Sequence, residues 1–255
     1  MKSVPSTLVL GLLVSLGIAS CGSAPKAKVD NALLAKASAE SRSSVAAARS
    51  ERDLAGDELA IASAEVDHAK DEVKMAKLSL EGAEKGAEQT ELATEIAEAD
   101  GSPDQLKKAA TKHTKALALV DVAREVLAVE KRELELSKDE QALAEETLEL
   151  RLAQVEEAKA IAVQDLDLVE VREIPLAKIR EEVATQQRKV EVATQRIEEA
   201  KKRLKEANEK YRKASAHARA VGVEDPMLSP AEVTEPAKKI ERSLEEAAAA
   251  AREVA

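Results

Sequence analysis

The sequence predicts an all-α fold: a long antiparallel coiled-coil hairpin, a helical extension beyond Pro175 and a short C-terminal helix. Three observations predict it. Charged residues make up 35% of the chain, Phe and Trp are absent, and Tyr211 is the only aromatic residue. That is the composition of long paired helices, not of a globular core thickened by aromatic side chains. Apolar and small residues recur at alternating intervals of four and three from Ala55 to Ala97, which is the spacing of a left-handed coiled coil. Finally, Asp100-Gly101-Ser102-Pro103 joins a helix stop to a helix start, and helices linked so tightly run antiparallel.

Residues 1–20 read as a signal peptide. Met1-Lys2-Ser3 is followed by an apolar run from Leu8 to Ala19, too short to span a bilayer comfortably. Ile18-Ala19-Ser20-Cys21 resembles the lipobox of bacterial lipoproteins, in which an apolar residue and two small ones precede the lipidated cysteine. Cys21 is the only cysteine in the chain, so it has no disulfide partner within it. The resemblance implies that Cys21 becomes the mature N-terminus and carries a diacylglycerol with an N-acyl chain such as palmitate. Two or more chains anchor stably where one is marginal. Gly22 and Ser23 lack the aspartate that retains lipoproteins in the inner membrane of enteric bacteria. The resemblance therefore implies the outer membrane, facing the periplasm.

Residues 21–29 form a tether. The first long helix is expected over 30–100, with Asp30 as its cap. Gly101 suits the left-handed position after a helix end. Ser102, Pro103 and Gln105 fit a capping box with proline in the first turn. A hairpin centred between Gly101 and Ser102 sets residue i opposite residue 203 minus i. Ala83 then faces Val120, Leu80 faces Ala123, and Ala76 faces Leu127, so that large repeatedly meets small. Val73 opposite Glu130 is the poor match. The second helix is expected over 103–221, kinked at Pro175, where proline removes a hydrogen bond and clashes one turn back.

Beyond the kink a second stripe runs from Val183 through Ile197 and Tyr211 to Val221. It is expected to overhang the base of the hairpin, covered in part by the short C-terminal helix folding back and for the rest by a second subunit. The competing arrangement, a reversal at Pro175 into a three-helix bundle, draws support from Ala116–Val129, which is apolar on nearly all sides. A Pro-containing linker over 222–235 leads to a short helix over 236–255, with Ile240, Leu244, Ala247 and Ala251 on one side.

The net charge of −10 is spread with mixed signs, as on solvated helix faces, and does not form the basic stripe that nucleic acid requires. His68, His113 and His217 are far apart, and no metal cluster is expected. The register puts His113 near Thr90 and His68 near Glu135. Gly82 and Gly86 lie inside the first helix, as close-contact or flexible points. A rod offers no concave, water-excluding site for acid–base chemistry, so neither an enzyme nor a cofactor or small-molecule substrate is expected.

An alanine-rich, aromatic-poor helix behind a lipobox is similar in design to the Braun-type murein lipoprotein. The resemblance implies a structural spacer, scaffold or tether in the bacterial cell envelope, held at the membrane by its lipid. Self-association or a protein partner through the helical faces is expected, and peptidoglycan is a further candidate. The murein lipoprotein ends in a lysine joined to peptidoglycan; here the last residues are Arg252-Glu253-Val254-Ala255, so that covalent route is not expected. The alternative is an adaptor that docks its hairpin on an envelope transport or secretion complex.

Overall fold

The computed structural model describes residues 28–164, 166 and 168–224. The leader, Cys21 with Ile18, Ala19 and Ser20, most of the linker and the helix expected over 236–255 lie outside them. Within the described residues there are five helices and no strand: α1 (Asn31–Leu34), α2 (Ala39–Ala99), α3 (Pro103–Val163), α4 (Val169–Arg172) and α5 (Leu176–Ala220). The chain is all-α, and α2 and α3 form the long antiparallel hairpin.

The first helix is not continuous from Asp30. The Asp30 carboxylate does cap, accepting from the N–H of Ala32 at 2.9 Å, but only the single turn of α1 follows. Ser38 then caps α2, its hydroxyl accepting from Ser41 N–H at 3.0 Å. The break lets Leu34 and Ala37 fold under Val45 and Ala162, contacts that a straight helix would carry past.

At the turn, Gly101 has φ +67°, the left-handed conformation that glycine adopts without a Cβ penalty. Ser102 stands at the cap position of α3, but its side chain makes no capping bond. The expected capping box does not form. Residues 103–105 are exposed, so water satisfies the free N–H groups there.

The seam follows the expected register. Ala55, Ala62, Val66, Ala69, Val73, Ala76, Ala87 and Ala97 of α2 are buried, and the other seam positions are half-buried. Val73 and Ala76 pack with Leu127. Thr90 Oγ1 lies 3.1 Å from His113 Nδ1, and Gln141 Nε2 donates to Ser63 Oγ at 3.3 Å.

The expected kinked overhang is not what the chain does. α3 ends at Val163, and α5 runs back along α3. Pro175 stands at the cap position just before α5 instead of interrupting a helix, and its carbonyl accepts from Ile179 N–H at 3.1 Å, so its missing N–H breaks no helical bond. Leu166, Val171, Ile174 and Leu176 of the connection pack on Val29, Ala160, Val163 and Ile179, and that apolar knot pays for the reversal. The stripe on α5 is buried against α3: Ala207, Tyr211 and Ala218 join Ala118, Val122 and Val129.

The result is not a closed bundle either. α3 packs on α2 along one side and on α5 along the other, while α2 and α5 barely meet. The apolar girth of Ala116–Val129 is thereby explained: α3 serves two partners. α5 ends with Gly222 at φ +82°. Val223 N–H bonds to Ala218 O and Gly222 N–H to Arg219 O, each at 3.0 Å, and Val223 is buried beside Ala218. This is a Schellman closure with its apolar contact.

Candidate functional site

Two features stand out along this rod. The first is a clamp at its base. Glu156 and Lys159, one turn apart on α3, are both only 8% exposed. Lys159 Nζ donates to Glu156 Oε1 at 2.7 Å, and Glu156 Oε2 accepts from the backbone N–H of Val29 at 2.8 Å. Burying two charges is tolerable only when they pair and find further hydrogen bonds, and here a backbone donor of the N-terminal segment takes the second carboxylate oxygen. Val29 itself is buried with Ala160, Val163 and Ile179. Arg49 Nη2 donates to Asn31 Oδ1 at 3.0 Å, which ties the same segment to α2. Sequence reasoning missed the clamp. An i,i+3 Glu–Lys pair is common on solvated helices, and only the reversal after Val163 buries this one.

The second is a carboxylate cluster in the seam. Glu130 occupies the position opposite Val73, and Glu72 and Glu133 join it; carboxylate oxygens of all three lie within 4.8 Å of one another. The sequence expectation of no cluster is corrected here. Glu130 was visible as a mismatch, but its neighbours flank the seam and carry no periodic signal. Glu130 Oε2 is buried without a partner. Burial, then the charges of Glu133 and Glu72, push the Glu130 carboxyl up to about 7; burial and Glu72 raise Glu133 as well. Three such oxygens can ligate a hard cation or share a proton. Burial favours the proton, since two carboxylates hydrogen-bond to one another only when one is protonated. His68 Nδ1 lies 3.6 Å from Glu72 Oε2, one turn along α2.

The Thr90–His113 pair does not amount to a nucleophile and its base. Thr90 Oγ1 spends its proton on Ala87 O at 2.8 Å, so His113 Nδ1 is the donor to the hydroxyl. The open groove near the turn, about 240 Å³, is lined by Thr90, Ile96, Asp100, Lys108 and Lys112 among others. His217 is exposed in the last turn of α5.

No described helix is long and apolar enough to cross a membrane. Comparison of the chain with protein-family models, curated proteins and solved structures found no match.

Proposed function

We propose that the chain is a bacterial envelope lipoprotein, anchored by acyl chains on Cys21, whose helices serve as a rigid spacer or scaffold on the periplasmic side of the outer membrane. The clamp is the observation that carries this reading. It fixes Val29 to the base of the rod, and Cys21 stands only eight positions before Val29. At no more than about 3.6 Å per residue, that tether reaches less than about 30 Å. α2 has 61 residues and, at about 1.5 Å each, projects the turn about 90 Å beyond the base. An anchor at one end and a free turn at the other is the geometry of a spacer. That geometry supports a function in positioning.

The adaptor reading is favoured by one observation. Leu54, Ile61, Met75, Leu78, Leu92 and Ile96 lie along α2 and are 58–64% exposed, an apolar content that a solvated helix face does not need.

A Cys21→Ser variant tests the anchor. It should lose acylation and leave the outer-membrane fraction, and a variant that remains there and is processed like the wild type defeats it. Cross-linking followed by pull-down separates the two roles. A single stoichiometric foreign partner supports the adaptor; self-association or peptidoglycan alone supports the scaffold.

A further inference from the structure

α2 carries a second stripe on the side away from its seam. Leu54, Ile61, Met75 and Ile96 fall on one seven-residue repeat, and Leu78 and Leu92 on another three residues behind it. These six are 58–64% exposed, and every other position of the two repeats from 54 to 99 is exposed as well. The buried seam from Ala55 to Ala97 keeps the same period, so seam and stripe stay on opposite faces along the whole helix. α2 packs on α3 through the seam, which leaves the six side chains together on one uncovered face of one helix.

This is the face that favours an adaptor in the reading above, and its spacing says what covers it. Positions 61 and 92 sum to 153, and so do 75 and 78. The four central apolar residues are thus symmetric about a point between 76 and 77. A two-fold interface demands that symmetry, because residue i must meet residue j while j meets i. A stripe shaped for a foreign helix, or for residues 225–255 of the same chain, has no need of it.

We propose that α2 packs antiparallel on α2 of a second copy through this face, residue i of one level with residue 153 minus i of the other. Ile61 then meets Leu92, Met75 meets Leu78 and Leu54 meets Ala99, each pair twice. Asp71 meets Gly82, and the one poor pair, Ile96 with Asp57, lies at the two ends. Sliding the copies by a heptad either way puts Met75 on Asp71 or on Lys85. Parallel copies set Asp57, Asp71 and Lys85 each against its own charge. Beside the antiparallel contact Lys74 reaches Glu81 of the second copy, while Asp67, near Glu88, is already paired with Lys70 at 2.8 Å. The apolar side chains and the small residues between them bare on the order of 600–800 Å² per copy, the size of one side of a stable interface. The starts of α2 stand about 110 Å apart in this pair. On the anchor reading above, on which only this consequence rests, the pair ties two points of attachment together.

The test uses the full-length chain carrying Cys21→Ser, which removes the lipid and the native thiol. In sedimentation it should dimerise with a dissociation constant of about 10 μM or tighter. Met75→Glu with Leu78→Glu, at the two-fold axis, should be monomeric. Ile61→Lys and Leu92→Glu should each weaken the dimer by at least about tenfold, because a charge meets an apolar side chain at both contacts. Their equimolar mixture should recover the original affinity: in the heterodimer the two charges meet, and the other contact is still Ile61 on Leu92. That recovery also shows that both variants fold. An Ile61→Cys chain should form a disulfide with a Leu92→Cys chain and not with itself, its two thiols lying about 46 Å apart along the pair. A monomeric chain overturns the proposal, and is what residues 225–255 laid over the stripe of their own chain would give. An Ile61→Cys chain that cross-links to itself, the mark of a parallel pair, overturns it too. So do dimers that survive Met75→Glu with Leu78→Glu, or a mixture that stays weak while each variant keeps the original helicity.

Discussion

At Glu130 a carboxyl occupies a seam position that the heptad reserves for an apolar side chain. Its raised pKa, about 7 against 4.5, means that the folded chain holds this proton more tightly than the unfolded one. The stability cost is therefore full above pH 7 and is relieved as pH falls from 7 towards 4.5. Glu133, Glu140 and Glu149 are shifted in the same direction, burial being the first cause for each. The melting temperature should be higher at pH 5.5 than at pH 8. Glu130→Leu should flatten that slope and stabilise the chain by about 1–2 kcal/mol at pH 8, a figure reduced because the site is half-exposed and solvent screens it. A slope unchanged in the variant would place the proton elsewhere. Gly82 and Gly86 give a second residue-scale result. A Cβ at either meets nothing within 4 Å, so the close-contact role expected of them is absent. Gly82→Ala and Gly86→Ala should each stabilise α2 by about 0.5–1 kcal/mol, measured by denaturant melts.

Among the elements, the hairpin was legible because its information is local. Gly101, Ser102 and Pro103 mark the turn, and the turn then dictates every seam partner by counting. The return of α5 was legible only in part. Its buried stripe was visible from Val183 to Val221, and so was the second apolar side of α3, but the strongest local break signal, Pro175, lies past the point where α3 ends. The reversal begins a dozen residues earlier, at the end of α3, where Leu166 supplies an apolar hold. Glu157 Oε1 lies 3.3 Å from Arg180 Nε across the new interface. Glu157→Cys and Arg180→Cys, in a Cys21→Ser background, should therefore join within one chain through a short bifunctional reagent. Cysteines at 190 and 43, the pair for a reversal centred on Pro175, should not. Tyr211 is buried where α5 meets Val122 and Val129. Tyr211→Ala should cost about 3 kcal/mol and loosen the second half of α5 first, read as faster amide exchange there than in α2.

For the whole molecule, the rod predicts a solution-scattering profile with a maximum dimension of at least about 90 Å, far beyond the size of a compact domain of this length. A compact profile would mean that α3 bends in solution. The clamp and the Schellman closure also decide how the rod meets force. Val29 is bolted at the base, while Gly222 lies at the other end of α5, where an added Cβ would stand 3.2 Å from the Lys115 ammonium, level with α3 only a dozen residues from the turn. Tension applied between these two points runs parallel to the helices. It loads the contacts of both seams together in shear, whereas a pull on two neighbouring ends would peel them apart one pair at a time. Extension between 29 and 222 should thus show a high threshold and sudden failure, a mechanical strength set by how the rod is held more than by how much apolar surface it buries.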